Sequence, residues 1–182
     1  VSTQEAAVSQ LNTPVPPFAV KAVRKGVIEE VTRESLLGHW SVLFFYPADF
    51  SFICPTELFD LHEQGEELGR LGVDIYAIST DSVYCHQAWC EATPLIDQLE
   101  FPLIADQARV LSRAMDVLDE DSGMAQRATF VINPEGLIKS IEISDGPVAR
   151  RADELVRRIR AAQFVAGGIG RLVKATWAGE VG

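Results

Sequence analysis

The segment Tyr46-Pro-Ala-Asp-Phe-Ser-Phe-Ile-Cys-Pro-Thr-Glu57 holds the residues best suited to chemistry, and Cys54 is their centre. An apolar run from Val42 to Tyr46 stops at Pro47, a loop follows, and a helical pattern begins at or just after Cys54. Pro55 fits that placement, because proline is tolerated in a first helical turn, where its missing N–H has no intrahelical partner to lose. A sulfur at the positive end of a helix meets a macrodipole and free N–H groups that favour thiolate over thiol, and the thiolate is the nucleophile. Taken alone, a cysteine at a helix start is more often a small buried residue than a catalyst.

The elements that must position Cys54 are read outward from it. Ser41 to Tyr46 reads as a strand buried on both faces. Leu58, Leu61, Gly65 and Leu68 continue the helix, with Gly69 and Gly72 bracketing its end, and Val73 to Ser79 reads as a second buried strand. The two strands are expected to be parallel with a right-handed crossover. Asp81 or Ser82 caps a helix that runs through Trp89 until Pro94. Phe101 to Ala105 is a short apolar segment, a helix covers Val110 to Asp116, and the acidic stretch to Asp121 opens into a loop at Ser122-Gly123.

Strands over Ala128–Ile132 and Leu137–Ser144 are joined by the turn residues Asn133-Pro-Glu-Gly136. A closing helix spans Ala152 to about Ala166 with Leu155, Ile159, Ala162 and Ala166 on one face. Upstream, Phe18–Val23 and Val27–Val31 flank Arg24-Lys-Gly26 as a hairpin, and Ser35 to Gly38 is one helical turn. The order predicts an α/β fold, a mixed central sheet with helices on both faces. Residues 1–17, polar and then proline-rich, read as a loosely held N-terminal arm; residues 18–166 form the domain. Residues 167–182, after a glycine-rich break at Gly167-Gly-Ile-Gly170, form a C-terminal tail.

Composition excludes several classes. The 182 residues carry 16 Lys+Arg against 26 Asp+Glu, a net charge of -10, which is the wrong sign for a nucleic acid partner. The start shows no basic segment followed by an apolar one, and no apolar run reaches membrane-spanning length, so a cytoplasmic protein with no membrane partner is expected. Three cysteines, Cys54, Cys85 and Cys90, cannot all pair within one chain and do not resemble a secreted disulfide framework. There is no C-x-x-C, and His39, His62 and His86 lack zinc-ligand spacing, so neither metal nor cofactor is expected. The three histidines read as surface or packing residues, and Arg157, Arg158 and Arg160 as the solvated face of the last helix.

Pro47, Ser51 and Cys54 match the pattern P-x-x-x-[TS]-x-x-C, and the fuller reading FFYPADFSFICPTEL resembles the peroxiredoxins of the alkyl hydroperoxide reductase C branch, the typical two-cysteine group. Arg127-Ala-Thr-Phe-Val-Ile-Asn-Pro-Glu-Gly is similar to that family's arginine-bearing segment, and Ile159-Arg-Ala-Ala-Gln-Phe-Val-Ala to its late helix. The resemblance, from about Phe18 to Trp177, implies a thioredoxin-like fold and a thiol peroxidase. Cys54 would attack hydrogen peroxide or an organic hydroperoxide and become a sulfenic acid. Arg127 would stabilise the thiolate and polarise the peroxide. Ser51, at a position where the family more often has threonine, would accept from the peroxide and donate to sulfur. Pro47 would shield the thiolate, and Glu57 would orient Arg127 or simply favour the helix dipole.

The sequence departs from that family near its end. Typical members have a resolving cysteine in a segment like Gly-Glu-Val-Cys-Pro-Ala-x-Trp; here the stretch reads Gly170-Arg-Leu-Val-Lys-Ala-Thr-Trp177, with Val173 where the cysteine would stand. The expectation is a one-cysteine-like enzyme whose sulfenate is reduced by an external thiol or dithiol: a thioredoxin-like protein, a flavoprotein disulfide reductase or a low-molecular-weight thiol. Cys85 or Cys90 is the alternative resolver if the first turn around Cys54 unwinds, as it does in relatives. They do not pair with each other on an intact helix, being about 7.5 Å apart along its axis. The resemblance also implies a homodimer or a decameric ring, with Cys85 near a dimer-to-dimer contact. The second expectation is a holdase chaperone or peroxide-signalling scaffold built on that oligomer.

Overall fold

Five consecutive buried residues, Ser41 to Phe45, run through the middle of the molecule. They belong to β3 (Trp40–Phe45), the sheet strand that carries the chain into the site loop. The computed structural model describes residues 9–168 and 171–177. The first eight residues of the arm, Ile169 and Gly170 of the glycine-rich break, and residues 178–182 of the tail lie outside the described residues.

The other strands are β1 (Ala19–Arg24), β2 (Val27–Thr32), β4 (Val73–Ser79), β5 (Leu103–Ala105), β6 (Arg127–Ile132) and β7 (Ile138–Ser144). They form one sheet in the order β2-β1-β5-β4-β3-β6-β7. β3 pairs parallel with β4, as the β-α-β reading expects, and antiparallel with β6, so the sheet is mixed. At the β1–β2 hairpin Lys25 and Gly26 both have positive φ, at 49° and 75°, the two-residue turn whose twist matches the strands.

The helices are α1 (Cys54–Glu63), α2 (Gly65–Arg70), α3 (Val83–Ala92), α4 (Pro94–Asp97), α5 (Val110–Ala114) and α6 (Ala152–Ala166). Leu58, Leu61, Trp89, Leu155 and Ile159 pack with Val42 and Phe44 on one side of the sheet. Leu36, Leu111 and Met115 pack with Leu43 and Phe45 on the other. Alternating β3 residues thus feed two cores, as a central strand's two-residue period requires.

Two expectations need correction. The helix expected through Leu68 breaks at Gln64 into α1 and α2. Gly65 follows the break, and glycine costs about 1 kcal/mol relative to alanine inside a helix, while the bend lets Leu61 and Leu68 reach one core. Nor are residues 9–17 loosely held. Asn12 N donates to the Ile138 carbonyl at 2.8 Å, Ile138 N to the Thr13 carbonyl at 3.0 Å and Val15 N to the Gly136 carbonyl at 3.0 Å. Val15 is buried, and the prolines that suit an open chain also suit an extended segment along an edge. At the other end, Trp177 lies against Phe164 of α6 with ring centroids 5.5 Å apart.

Candidate active site

Cys54 is the first residue of α1 and Pro55 the second, and the Cys54 side chain is fully buried. Because β6 runs antiparallel to β3, the start of β6 lies beside the end of β3, and Arg127, the first residue of β6, reaches the start of α1. Arg127 Nη1 donates to Cys54 Sγ at 3.4 Å and to Glu57 Oε2 at 2.6 Å, while Nε donates to the Gly146 carbonyl at 2.6 Å. None of the hydrogen bonds among the described residues uses Arg127 Nη2, so that nitrogen keeps two donors.

Glu57 lies one turn after Cys54, on the same side of α1. It is buried and serves two cations. Besides Arg127, Arg150 donates to it from its backbone N at 2.7 Å, from Nε at 3.0 Å and from Nη2 at 3.1 Å. Arg150 Nη1 donates to Thr129 Oγ1 at 3.0 Å, and its guanidinium carbon lies 3.5 Å from the centroid of the Phe44 ring. Burial pulls the Arg150 guanidinium below its ordinary range, and Glu57 opposes that shift. Asp60, farther along α1, accepts from Ala152 N at 2.7 Å, so α1 anchors both Arg150 and the first residue of α6. Arg150 is absent from the sequence-based candidates because no local pattern distinguishes it from Arg151 beside it, which is exposed.

The loop between β3 and α1 is braced from beneath. Asp49, buried, accepts from Tyr46 Oη at 2.8 Å and lies 2.7 Å from His86 Nδ1, while its backbone N donates to Asp81 Oδ2 at 2.9 Å. Burial, with the Asp49 charge beside it, pushes the Tyr46 hydroxyl well above its ordinary range and keeps it a donor. His86 is therefore neither a surface residue nor simple packing, but a buried polar partner of the loop. Its place on the buried stripe Val83–His86–Trp89 is the sequence signal for this, since a buried imidazole needs a polar partner. His39 lies 3.1 Å from Asp74, and His62 lies against Phe59. Arg157, Arg158 and Arg160 are paired rather than merely solvated, with Glu154, with Glu154 and Glu142, and with Glu67 respectively.

Ser51 Oγ donates to the Ala48 carbonyl at 2.8 Å. Its proton is thus held within the loop, contrary to the expected donation to sulfur, and its lone pairs remain free to accept. Pro47 and Arg127 line a cavity of about 480 Å³ whose wall continues through Met124 and Ile143. A hollow on the other side of Glu57 is walled by Asp60 and Glu63.

All three cysteines are free. Burial, then the charges of Asp49 and Asp81, pushes the Cys85 thiol up to about 12. Burial, followed by Asp97, raises that of Cys90. Neither is prepared as a nucleophile in this conformation. Val173 lines a separate groove beside Lys139, Arg157 and Arg158, and neither of the two hollows flanking the Arg127–Glu57 pair.

Asp49, Asp81 and Cys85 bring three potential metal-ligand atoms within 4.8 Å of one another, a grouping invisible to ligand spacing. Both carboxylates already accept from the loop or from Ser79, and the thiol is held protonated, so the group serves as a brace. Among the described residues no helix is long and apolar enough to cross a membrane.

The AhpC/TSA family profile matches residues 11–141. Alkyl hydroperoxide reductase C of Escherichia coli (strain K12) is 44% identical over 169 residues, covering 93% of this chain and 90% of that protein. The crystal structure of Enterococcus faecalis AhpC matches with a TM-score of 0.89 at 45% identity, over 92% of this chain and 100% of that one. Reduced Plasmodium vivax 2-Cys peroxiredoxin matches with a TM-score of 0.88 at 28% identity, over 96% of this chain and 92% of that one. These likenesses bear out the thioredoxin-like α/β fold expected from the sequence.

Proposed function

The chain belongs to the AhpC/TSA family and is a thiol-dependent peroxidase, and from that premise we propose that Cys54 is the residue that attacks the peroxide, with Arg127, Ser51 and Pro47 around it. The observation that carries this reading is the contact of Arg127 Nη1 with both Cys54 Sγ and Glu57, at the first turn of a helix. In the reaction the thiolate sulfur attacks one peroxide oxygen, the S–O bond forms and the O–O bond breaks. Sulfur is oxidised to sulfenic acid, the peroxide is reduced, and the leaving oxygen takes a proton from solvent to become alcohol or water.

Each residue has a defined physical task. The free donors of Arg127 Nη2 bind the peroxide oxygens and stabilise the negative charge that develops as the O–O bond breaks. Ser51, its own proton held by Ala48, accepts from the substrate O–H. Pro47 walls the cavity on the substrate side. Glu57 orients Arg127 without touching the reacting atoms.

After the sulfenate forms, the reading is one-cysteine chemistry in the cytoplasm, with reduction by an external thiol or dithiol, because Val173 cannot form a disulfide. The raised Cys85 and Cys90 thiols support the same reading. Cys54→Ser should abolish peroxide consumption; retained turnover refutes the assignment. With one equivalent of hydrogen peroxide, peptide mass spectrometry should find a persistent Cys54 sulfenate that advances to sulfinic acid at higher peroxide. A disulfide from Cys54 to Cys85 or Cys90 would instead establish a relocated resolver.

A second reading is favoured by Phe50, Phe52 and Tyr84, which are 57%, 92% and 74% exposed on the site loop and the first turn of α3. Such aromatic surface suits an oligomer, a dimer or ring, that acts as a holdase chaperone or peroxide-signalling scaffold. Suppression of client aggregation by Cys54→Ser would support it, and a small, inactive species in solution would not.

A further inference from the structure

The charges around Cys54 balance, and those of the cavity beside it do not. Glu57 and a Cys54 thiolate supply two negative charges, while Arg127 and Arg150 supply two positive ones. The cavity wall adds Asp119 and Asp145, and Arg127 is its sole cation. Asp119 Oδ1 accepts from Asp121 N at 3.0 Å and Ser122 N at 3.4 Å, and Asp145 Oδ1 accepts from Gly146 N at 2.8 Å. Among the described residues neither carboxylate takes part in an ion pair, so no cation neutralises either one, and each is oriented by backbone N–H groups.

The same wall carries Met124 and Ile143, 39% and 53% exposed, which offer apolar surface to a carbon chain. The cavity is continuous with the site through Arg127 and Pro47. We infer that the organic group of a hydroperoxide seats here against Met124 and Ile143, and that Asp119 and Asp145 make the enzyme prefer neutral hydroperoxides over those bearing a carboxylate. This inference rests on the assignment of Cys54 as the attacking residue. The carboxylates do not touch the breaking O–O bond; they set which substrates approach it.

The test compares tert-butyl hydroperoxide with 3-hydroperoxy-3-methylbutanoate, a branched hydroperoxide that adds a carboxylate. The rate of Cys54 sulfenate formation is measured in single turnover for each. Taking the anionic-to-neutral ratio within each protein cancels any change in sulfur reactivity. At low salt the ratio should rise about fivefold in Asp119→Asn/Asp145→Asn, the size expected when an anion no longer meets two carboxylates across roughly 8 Å of water. Asparagine keeps the oxygen that accepts the backbone bonds. Independently of any variant, the ratio in the unmodified protein should rise between about 10 mM and 500 mM salt, as the screening length falls from about 30 Å to a few ångströms. A ratio unmoved by either change overturns the inference. Hydrogen peroxide, uncharged and without an organic group, reads the premise separately: if neither it nor tert-butyl hydroperoxide forms a Cys54 sulfenate, or if Cys54→Ser still consumes it, the Cys54 assignment falls and the inference with it. If the Cys54 sulfenate forms with hydrogen peroxide and Cys54→Ser is inactive while the ratio stays fixed, the charge preference alone falls.

Discussion

Replacing Glu57 by glutamine removes one charge and almost no volume, and it isolates what holds the two guanidiniums in place. Glu57 is buried between Arg127 and Arg150, receiving a bond of 2.6 Å from the first and bonds of 2.7, 3.0 and 3.1 Å from the second. At an effective dielectric constant near 20, each pair gains about 4 kcal/mol at 4 Å separation. Desolvation of the ions and repulsion between the two arginines offset much of this, and measured losses on removing one partner of a buried pair are about 3 to 5 kcal/mol. A loss of that size should lower the melting temperature by roughly 10 °C for a chain of this length.

The rate of Cys54 oxidation should fall at least about tenfold, because a misaimed donor forfeits part of a transition-state interaction generally worth 10² to 10³ in rate. Thermal unfolding and stopped-flow oxidation by hydrogen peroxide measure the two effects. A melting temperature within about 1 °C of the parent, given that a kilocalorie moves it by 2 to 4 °C, would refute the claim that this carboxylate holds the guanidiniums. Lost stability with an unchanged rate would refute only its role in orienting Arg127.

Three further outcomes are expected. Cys85 should resist iodoacetamide in the folded protein at pH 8, since its thiol is raised from the ordinary 9.0 to about 12. The folded form holds that proton more tightly than the unfolded form, so this contribution to stability is whole below about pH 9 and is lost as pH rises toward 12; fast labelling at pH 8 would contradict the burial argument. His86→Leu leaves a buried Asp49 oxygen without its partner, at a cost of about 2 to 4 kcal/mol, and should speed hydrogen exchange across residues 46–54; unchanged exchange would show that the pair does not brace the loop. Ser51→Ala should slow sulfenate formation by roughly 10²-fold, the typical effect of removing a positioned polar group from a transition state, and an unaffected rate would remove Ser51 from the site.

Local patterns carry much of the fold. Pro55 marks the first turn of α1, Ser82 caps α3 by accepting from Cys85 N, and the closing helix has the limits its apolar face implies. These features are legible because each depends on residues within about one turn of one another. The break at Gln64 is less so, since Gly65 fits a helical pattern and the bend is decided by what Leu61 and Leu68 must both reach.

The candidate nucleophile, the helix start beneath it, the strand and helix order, and the three blocks that carry the family resemblance are all legible in the order of the residues. The partners come from the packing of distant segments: Arg150 on Glu57 from 93 residues away, His86 on Asp49 from 37, and the arm on Ile138. The two carboxylates of the cavity likewise come from separate loops flanking β6 and β7. The physical reason is one of range. Helix caps and turns satisfy hydrogen bonds between near neighbours in the chain, whereas a buried charge is satisfied by whichever group the packed sheet brings beside it.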